Sequence, residues 1–372
     1  MKILEALYSN TLGGSEMLGL ALANEFVARG HDCDILTVFT GDGSFVADLD
    51  ASGRNVYEAG FHGRHLSRRL TVPLYLYRLF KQQAYDAIHC HHMAVFFHCL
   101  LPARLAGIPR IVVTEHAHQH FAGNDKLTRR SKRLGPKADC VTVIHRELER
   151  FFGEELGIPA DRLRFIANGV DTNVFSPAPA PAELQDRIDA HGWTHTIGCV
   201  SRMHPDKDIP NLLRAFRATI EQSSGRPGLI VVGDGQERPV VESLIAEAGI
   251  GDQVLLAGVQ TNINEWMRVF DLFVLPSRRE GVPLAILEAL SAGLPIVATR
   301  VGGVPDIVDE SVGRLVEPED PDNLGRTLAD MIADPDRLER MSTQARRTAL
   351  ERYSFSNMVD RYLDALGVAI DP

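Results

Sequence analysis

The chain has 372 residues, of which 45% are hydrophobic and 24% charged, enough material for about two domains with buried cores; collagen-like, disordered and mini-domain designs are excluded. The net charge of −10 argues against a general nucleic-acid binder. Five scattered cysteines (Cys33, Cys90, Cys99, Cys140, Cys199) without a C-x-x-C pair argue against a disulfide framework or zinc ribbon, and favour a reducing cytoplasm. No apolar run approaches the roughly 18 residues of a membrane span. The N-terminus, MKILEALYSNTLGG, has no h-region or cleavage site, so secretion is not expected.

Short apolar runs alternate with helical patterns from the start. KILEAL, CDILTVF, YDAIHCH, IPRIVVTEH and ADCVTVI have the character of strands, and MLGLALANEFVARG is the first intervening helix; this is the order of parallel βα units. After the first strand, SNTLGGSEM places Gly13 and Gly14 in a turn, with a helix expected from about Ser15 or Glu16. Glycines there let backbone approach a bound phosphate or sugar, and a helix N-terminus favours anions. A plain tight turn accounts for the same residues. Neither G-x-G-x-x-G nor G-x-x-x-x-G-K-[ST] occurs, so the usual dinucleotide and P-loop fingerprints are absent.

Charge is unevenly spread: residues 1–175 carry a net +1 and the remainder −11. Within the first half, basic residues gather around Arg64, Arg68, Arg69, Arg78 and Lys81, and again at Lys126, Arg129, Arg130, Lys132, Arg133 and Lys137. Apolar and aromatic residues interleave with the first group, a pattern that suits an anionic membrane surface as well as an ordinary solvated helix face. Histidines also cluster: His89, Cys90, His91, His92, His98 and Cys99, then His116, His118 and His120. Imidazoles suit zinc, but these spacings match no standard site, so no metal is expected. Strand alternation sends His89 and His91 to one face and His92 elsewhere.

SPAPAPAEL, from Ser176 to Leu184, cannot join a ladder or continue a helix, and marks a stiff boundary between domains. A second βα series follows, through TIGCVS, GLIVVGDG, QVLLAG, LFVLPS and PIVAT. The expected fold is α/β, two doubly wound Rossmann-like domains facing across a cleft, with ligands beyond the carboxyl ends of the strands. VSRMHPDKD sets Arg202 and Lys207 in one strand-end loop, a plausible diphosphate clamp. LPSRREGVPLAILEALSAG is the most particular string. Pro283 suits a first helical turn, so Glu280, Gly281 and Val282 belong to the preceding loop. The amides from Gly281 to Leu284 are then open to an anion. Glu288, about one and a half turns into that helix, can accept hydrogen bonds from a ribose diol.

EGVPLAILE resembles the E-x7-E motif of retaining glycosyltransferases of family 4, which have the GT-B fold. Gly13 and Gly14, His116 in VVTEH, IANGVD, Arg202 with Lys207, VVGDG (Gly233 to Gly235) and GGVPDIV resemble other family features in order and spacing, so the match covers essentially the whole chain. The resemblance implies an N-terminal acceptor domain of residues 1–175, a nucleotide-sugar domain of residues 176–354, and a C-terminal helix, 355–372, that crosses back. It implies that Arg202 and Lys207 bind the donor diphosphate, Glu280 the donor sugar, Gly281, Val282, Pro283 and Leu284 the anion beside it, and Glu288 the ribose. His116 would sit near the transferred sugar, Gly14 near the phosphates, and Gly233, Val259 and Asn262 about the nucleotide. The implied reaction is metal-independent, with a UDP-sugar preferred to a GDP-sugar. The acceptor is expected to be a glycan or a lipid-linked intermediate; the basic, aromatic-interleaved stretch around Arg64 to Lys81 suggests the latter, at the inner face of a membrane as in assembly of surface polysaccharide, with His91 helping to line the acceptor side. A nucleotide-sugar epimerase and a catalytically silent sugar-nucleotide-binding subunit are the alternatives.

Overall fold

The computed structural model describes residues 1–61, 66–116 and 118–368, with the side chains of 66–70 and 119 left aside. The chain divides into two compact units: Met1–Ala167 together with the chain from Met358 on, and Asn168–Asn357.

The first unit is built on a seven-stranded parallel sheet. Its strands are β1 (Lys2–Ser9), β2 (Asp32–Phe39), β3 (Val56–Phe61), β4 (Ala87–His91), β5 (Arg110–Glu115), β6 (Cys140–Val143) and β7 (Leu163–Phe165), in the spatial order β3-β2-β1-β4-β5-β6-β7. The strands are nearly continuous apolar runs because helices cover both faces. Leu4, Leu36, Ile88, Val113 and Val141 pack with Phe80, Phe96 and Phe152. All five cysteines are buried, and Cys90 and Cys99 belong to this core. The order reverses between β1 and β4, and connections leaving in opposite directions there open a crevice at the carboxyl ends of both strands. The C-terminal helix Phe355–Ala365 supplies fully buried Tyr362 to this unit. Arg29 pairs with Asp360, Arg164 with Asp364, and Arg110 Nε donates to the Ala365 carbonyl at 2.9 Å.

The second unit holds six parallel strands: β8 (His195–Val200), β9 (Pro227–Val232), β10 (Val254–Gly258), β11 (Leu272–Leu275), β12 (Ile296–Thr299) and β13 (Gly313–Val316), ordered β10-β9-β8-β11-β12-β13. Ile197, Leu229, Val274 and Val297 pack with Phe216 and Leu328. Here the reversal falls between β8 and β11, so the two loops carrying Arg202–Lys207 and Glu280 leave adjacent strand ends. The segment after Ala167 belongs to this unit although it precedes the prolines. Val170 bridges Ser354, and Arg346 donates to the carbonyls of Thr172 and Phe175.

Candidate functional site

In the second unit, the loop after β8 is locked to the loop after β11 by charge pairs. Arg278 Nε donates to Asp208 at 2.8 Å, Arg279 pairs with Asp206, and the Asp206 carbonyl accepts from the Arg278 amide at 2.8 Å. Asp208 holds φ +48, an uncommon conformation for a residue with a Cβ. Within this frame Lys207 Nζ lies 2.6 and 2.8 Å from the two oxygens of Glu280, and Ser277 Oγ donates to Glu280 Oε1 at 2.6 Å. The Glu280 side chain is 6% exposed and that of Lys207 21%. Thr299 Oγ1 donates to the Ser277 carbonyl at 2.5 Å, fixing the loop from below. A cation and a carboxylate expected to serve separate parts of a ligand are thus held in direct contact. Arg202 is exposed, with no side-chain partner among the described residues.

Pro283 is not in the first helical turn. It precedes the helix Leu284–Ser291 at φ −72 and ψ 115, still extended, while the Gly281 carbonyl is drawn to the Gly303 amide at 2.8 Å. The loop therefore ends one residue later than the proline pattern suggests. Among the described residues the amides of Gly281, Val282 and Leu284 have no acceptor, and Leu284 is exposed. Gly302 makes the arrangement possible: its φ is +52, and a Cβ there would stand 2.0 Å from the Glu280 carbonyl oxygen. Gly302→Ala is expected to destabilise the protein by about 2 kcal/mol or more, through positive φ and displaced loop backbone; a urea unfolding curve measures it.

Glu288 lies a little over one turn into the same helix, half-buried, with no partner for its carboxyl among the described residues. Burial pushes the carboxyl up from 4.5 to about 7. A folded value above the unfolded one means that stability is fully present below about pH 4.5 and falls as pH rises through about 7. Glu288→Gln is expected to raise the melting temperature at about pH 8 and to leave it nearly unchanged at about pH 4. The comparison of the two melting temperatures checks the sign.

Gly233 has φ +130, its amide donates to the Gly258 carbonyl at 2.8 Å, and a Cβ would meet the Ser201 carbonyl at 2.0 Å. This conformation lets the β9 end close over the β8 loop. Val259 is 75% exposed just beyond β10, whereas the Asn262 amide is occupied by Glu265.

In the first unit, a pocket of about 880 Å³ opens at the β1/β4 reversal, lined by residues including Gly13, Gly14, Ser15, His92, Glu115 and His116. The helix begins at Gly14, with Gly13 extended at φ −149; neither glycine has positive φ. Space beside Gly14 is open, so a ligand can approach its backbone closely.

The histidines make an ordered set. His89 Nδ1 is 3.0 Å and His91 Nε2 2.6 Å from the two oxygens of Glu5, all three side chains being fully buried. His91 Nδ1 is 3.0 Å from His116 Nε2. His91 therefore stands behind His116 and does not line the pocket. His92, at φ +77, lies off that face, its Nδ1 3.0 Å from Glu115 and its Nε2 3.0 Å from Ser15 Oγ. His120 Nδ1 is 3.1 Å from the same Glu115 oxygen. Burial raises the Glu115 carboxyl, but His120, His92 and the Met93 amide outweigh it and hold it well below the ordinary value. Glu5–His89–His91 and His92–Glu115–His120 are each close enough to offer ligands to one metal ion. Internal hydrogen bonds already account for both clusters. The sequence pattern does not single out Glu5, Glu115 or Ser277 as site residues; for the two glutamates, a carboxylate within an otherwise apolar strand is the available signal.

Residues 12–174 match Glycosyltransferase Family 4, and residues 183–348 match Glycosyl transferases group 1. The chain is 30% identical to the Escherichia coli UDP-Gal:alpha-D-GlcNAc-diphosphoundecaprenol alpha-1,3-galactosyltransferase, over 78% of this chain and 77% of that one. It is 29% identical to a Mycolicibacterium smegmatis GDP-mannose-dependent alpha-(1-6)-phosphatidylinositol monomannoside mannosyltransferase, over 71% and 72%. The crystal structure of Anabaena HepE in complex with UDP superposes with a TM-score of 0.85 at 22% identity, covering 99% of this chain and 100% of that one. Two doubly wound units, each with its loops gathered at a sheet reversal, and these matches along the chain make it a member of the group 1, family 4 glycosyltransferases of the GT-B fold.

Proposed function

We propose that the protein transfers a sugar from a UDP-sugar to a lipid-linked or glycan acceptor, with retention of anomeric configuration and without a required metal. The observation that carries this reading is the Lys207–Glu280–Ser277 cluster beside the free amides of Gly281, Val282 and Leu284. A leaving nucleoside diphosphate needs charge neutralised as it departs, and fixed cations with backbone N–H groups supply that without reorganisation. Arg202 and Lys207 bind the diphosphate, Glu280 accepts sugar hydroxyls, and Glu288 accepts from the ribose. Val259, Asn262 and Gly233 border the nucleotide. Gly13, Gly14 and His116 border the pocket of the first unit, which takes the acceptor. The acceptor attacks from the face the nucleotide leaves, so neither glutamate forms a covalent intermediate. Lipid-linked acceptors in the names of the two relatives support that acceptor class. Measuring the anomeric coupling constant of the first product by NMR tests the stereochemistry; inversion overturns it.

The first unit also offers a surface for anionic lipid. Lys81, Lys126, Arg129, Arg130 and Arg133 are exposed, and Leu101 and Leu105 are each 64% exposed on the helix Met93–Ala106. Arg130 lies over the Phe97 ring at 4.4 Å, beside a groove that Leu101 and Pro73 help to line. Arg64 and the side chains of Arg68 and Arg69 lie outside the described residues. No described helix is long and apolar enough to cross a membrane. Each basic residue near an anionic surface contributes about 1 kcal/mol, so Arg129→Glu with Arg133→Glu is expected to weaken vesicle binding by more than about tenfold. Flotation with phosphatidylglycerol vesicles measures it, and a native protein that never floats ends the proposal.

A further inference from the structure

We propose that Glu5 and His91 are positioning residues that set the tautomer of His116, so that His116 Nδ1 meets a substrate hydroxyl as a hydrogen-bond acceptor. The inference rests on the reading of the 880 Å³ pocket as the place that takes the acceptor.

Glu5 is a carboxylate in the middle of β1 with no exposure to water. Burial alone raises its carboxyl, but the imidazoles of His89 and His91 outweigh that and bring it to about 2, so it accepts hydrogen bonds and has no proton to give. The 2.6 Å contact therefore places a proton on His91 Nε2. Burial and neighbouring His89 hold His91 below the ordinary imidazole value against the pull of Glu5, so the ring is neutral near pH 7 and Nδ1 is bare. A bare Nδ1 3.0 Å from His116 Nε2 requires that His116 donate. His116 is itself kept neutral by its burial, which holds it well below the ordinary imidazole value. Its single proton is then on Nε2, and Nδ1 is left as an acceptor. No described residue gives that nitrogen a partner, and His116 lines the pocket while His91 does not.

Two fixed contacts thus relay the choice of tautomer from a buried carboxylate to the pocket. The His91 and His116 rings are close to parallel, 6° apart, so the contact sets orientation as well as protonation. The arrangement depends on strand register. Glu5 lies opposite His89, and His91 opposite Thr114, which brings β1, β4 and the end of β5 together at one level of the sheet.

The test is a long-range proton–nitrogen correlation spectrum of the full chain labelled with ¹⁵N-histidine, at neutral pH and without substrate. Signals of His116 are assigned by their loss in His116→Gln. The expected result is a neutral His116 ring with protonated Nε2 and bare Nδ1. A His116 carrying its proton on Nδ1, or a charged ring, overturns the proposal in the wild-type protein alone, whatever the variants do. His91→Phe removes the acceptor and is expected to mix the two tautomers. His91→Asn places an amide oxygen near the position of Nδ1 and is expected to restore the Nε2–H form. A folded His91→Phe protein with an unchanged His116 tautomer also overturns the relay. With a donor in hand, His91→Phe is expected to lower kcat about tenfold with KM nearly constant, the effect of losing one oriented hydrogen bond, and His91→Asn to recover most of it. The expected tautomer without turnover of any nucleotide sugar leaves the relay standing and removes the transfer reading, so the two failures are distinguishable.

Discussion

Glu280→Ala is expected to lower sugar transfer by at least about 10³-fold, some 4 kcal/mol of transition-state stabilisation, while the protein remains folded. On the proposed reading this carboxylate does two things at once: it accepts donor-sugar hydroxyls, and it fixes Lys207 Nζ at 2.6 and 2.8 Å. Its loss frees the ammonium at the moment when a fixed cation is needed. The stability change is expected to be small, about 1 kcal/mol, because Lys207 is 21% exposed and can turn its charge toward water. Full residual turnover removes Glu280 from the site; purified variant, circular dichroism and a nucleotide-release assay decide between them.

Lys207→Ala is expected to behave differently. It removes the cation and strands a carboxylate that is only 6% exposed, with Ser277 Oγ as its sole remaining side-chain donor among the described residues. Leaving a desolvated charge without its partner costs about 2–3 kcal/mol, toward the lower side of values for fully buried pairs. Transfer should fall about 10²–10³-fold and nucleotide affinity should weaken with it, since a diphosphate contact serves ground state and transition state alike. Combining the two substitutions is expected to recover stability relative to Lys207→Ala, because the stranded carboxylate is gone, without recovering activity. Unfolding curves of the four proteins measure that coupling. Unchanged kinetics in Lys207→Ala would displace the clamp from this loop.

The two parallel sheets were legible because strands covered on both faces must be apolar, and KILEAL, CDILTVF, GLIVVGDG and LFVLPS stand out from the helices between them. The loops were legible for a related reason. Ligands bind doubly wound sheets at strand carboxyl ends, so a glycine pair after β1, two cations after β8 and a glutamate after β11 fall where chemistry is expected. Long-range partnership was less accessible. Lys207 and Glu280 are 73 residues apart in the chain, and their contact exists because β8 and β11 are neighbours, which the order of strands along the sequence does not state. The same holds for Asp208 with Arg278 and for Glu5 with His91, whose meeting depends on a register between β1 and β4. Pro283 illustrates a local limit. A proline is compatible with either the last loop residue or the first helical one, and the Gly281–Gly303 hydrogen bond, a tertiary contact, selects the former.

Saturation-transfer NMR of the wild-type protein with a panel of UDP-, GDP- and other nucleotide sugars, EDTA present, followed over time for free nucleotide, tests the donor assignment most directly. The expected result is saturation transfer to one UDP-sugar with slow release of UDP, both reduced by Lys207→Ala. Contact with no member of the panel, or release that persists unchanged in Lys207→Ala and Glu280→Ala, would contradict the placement of the donor on the loops after β8 and β11.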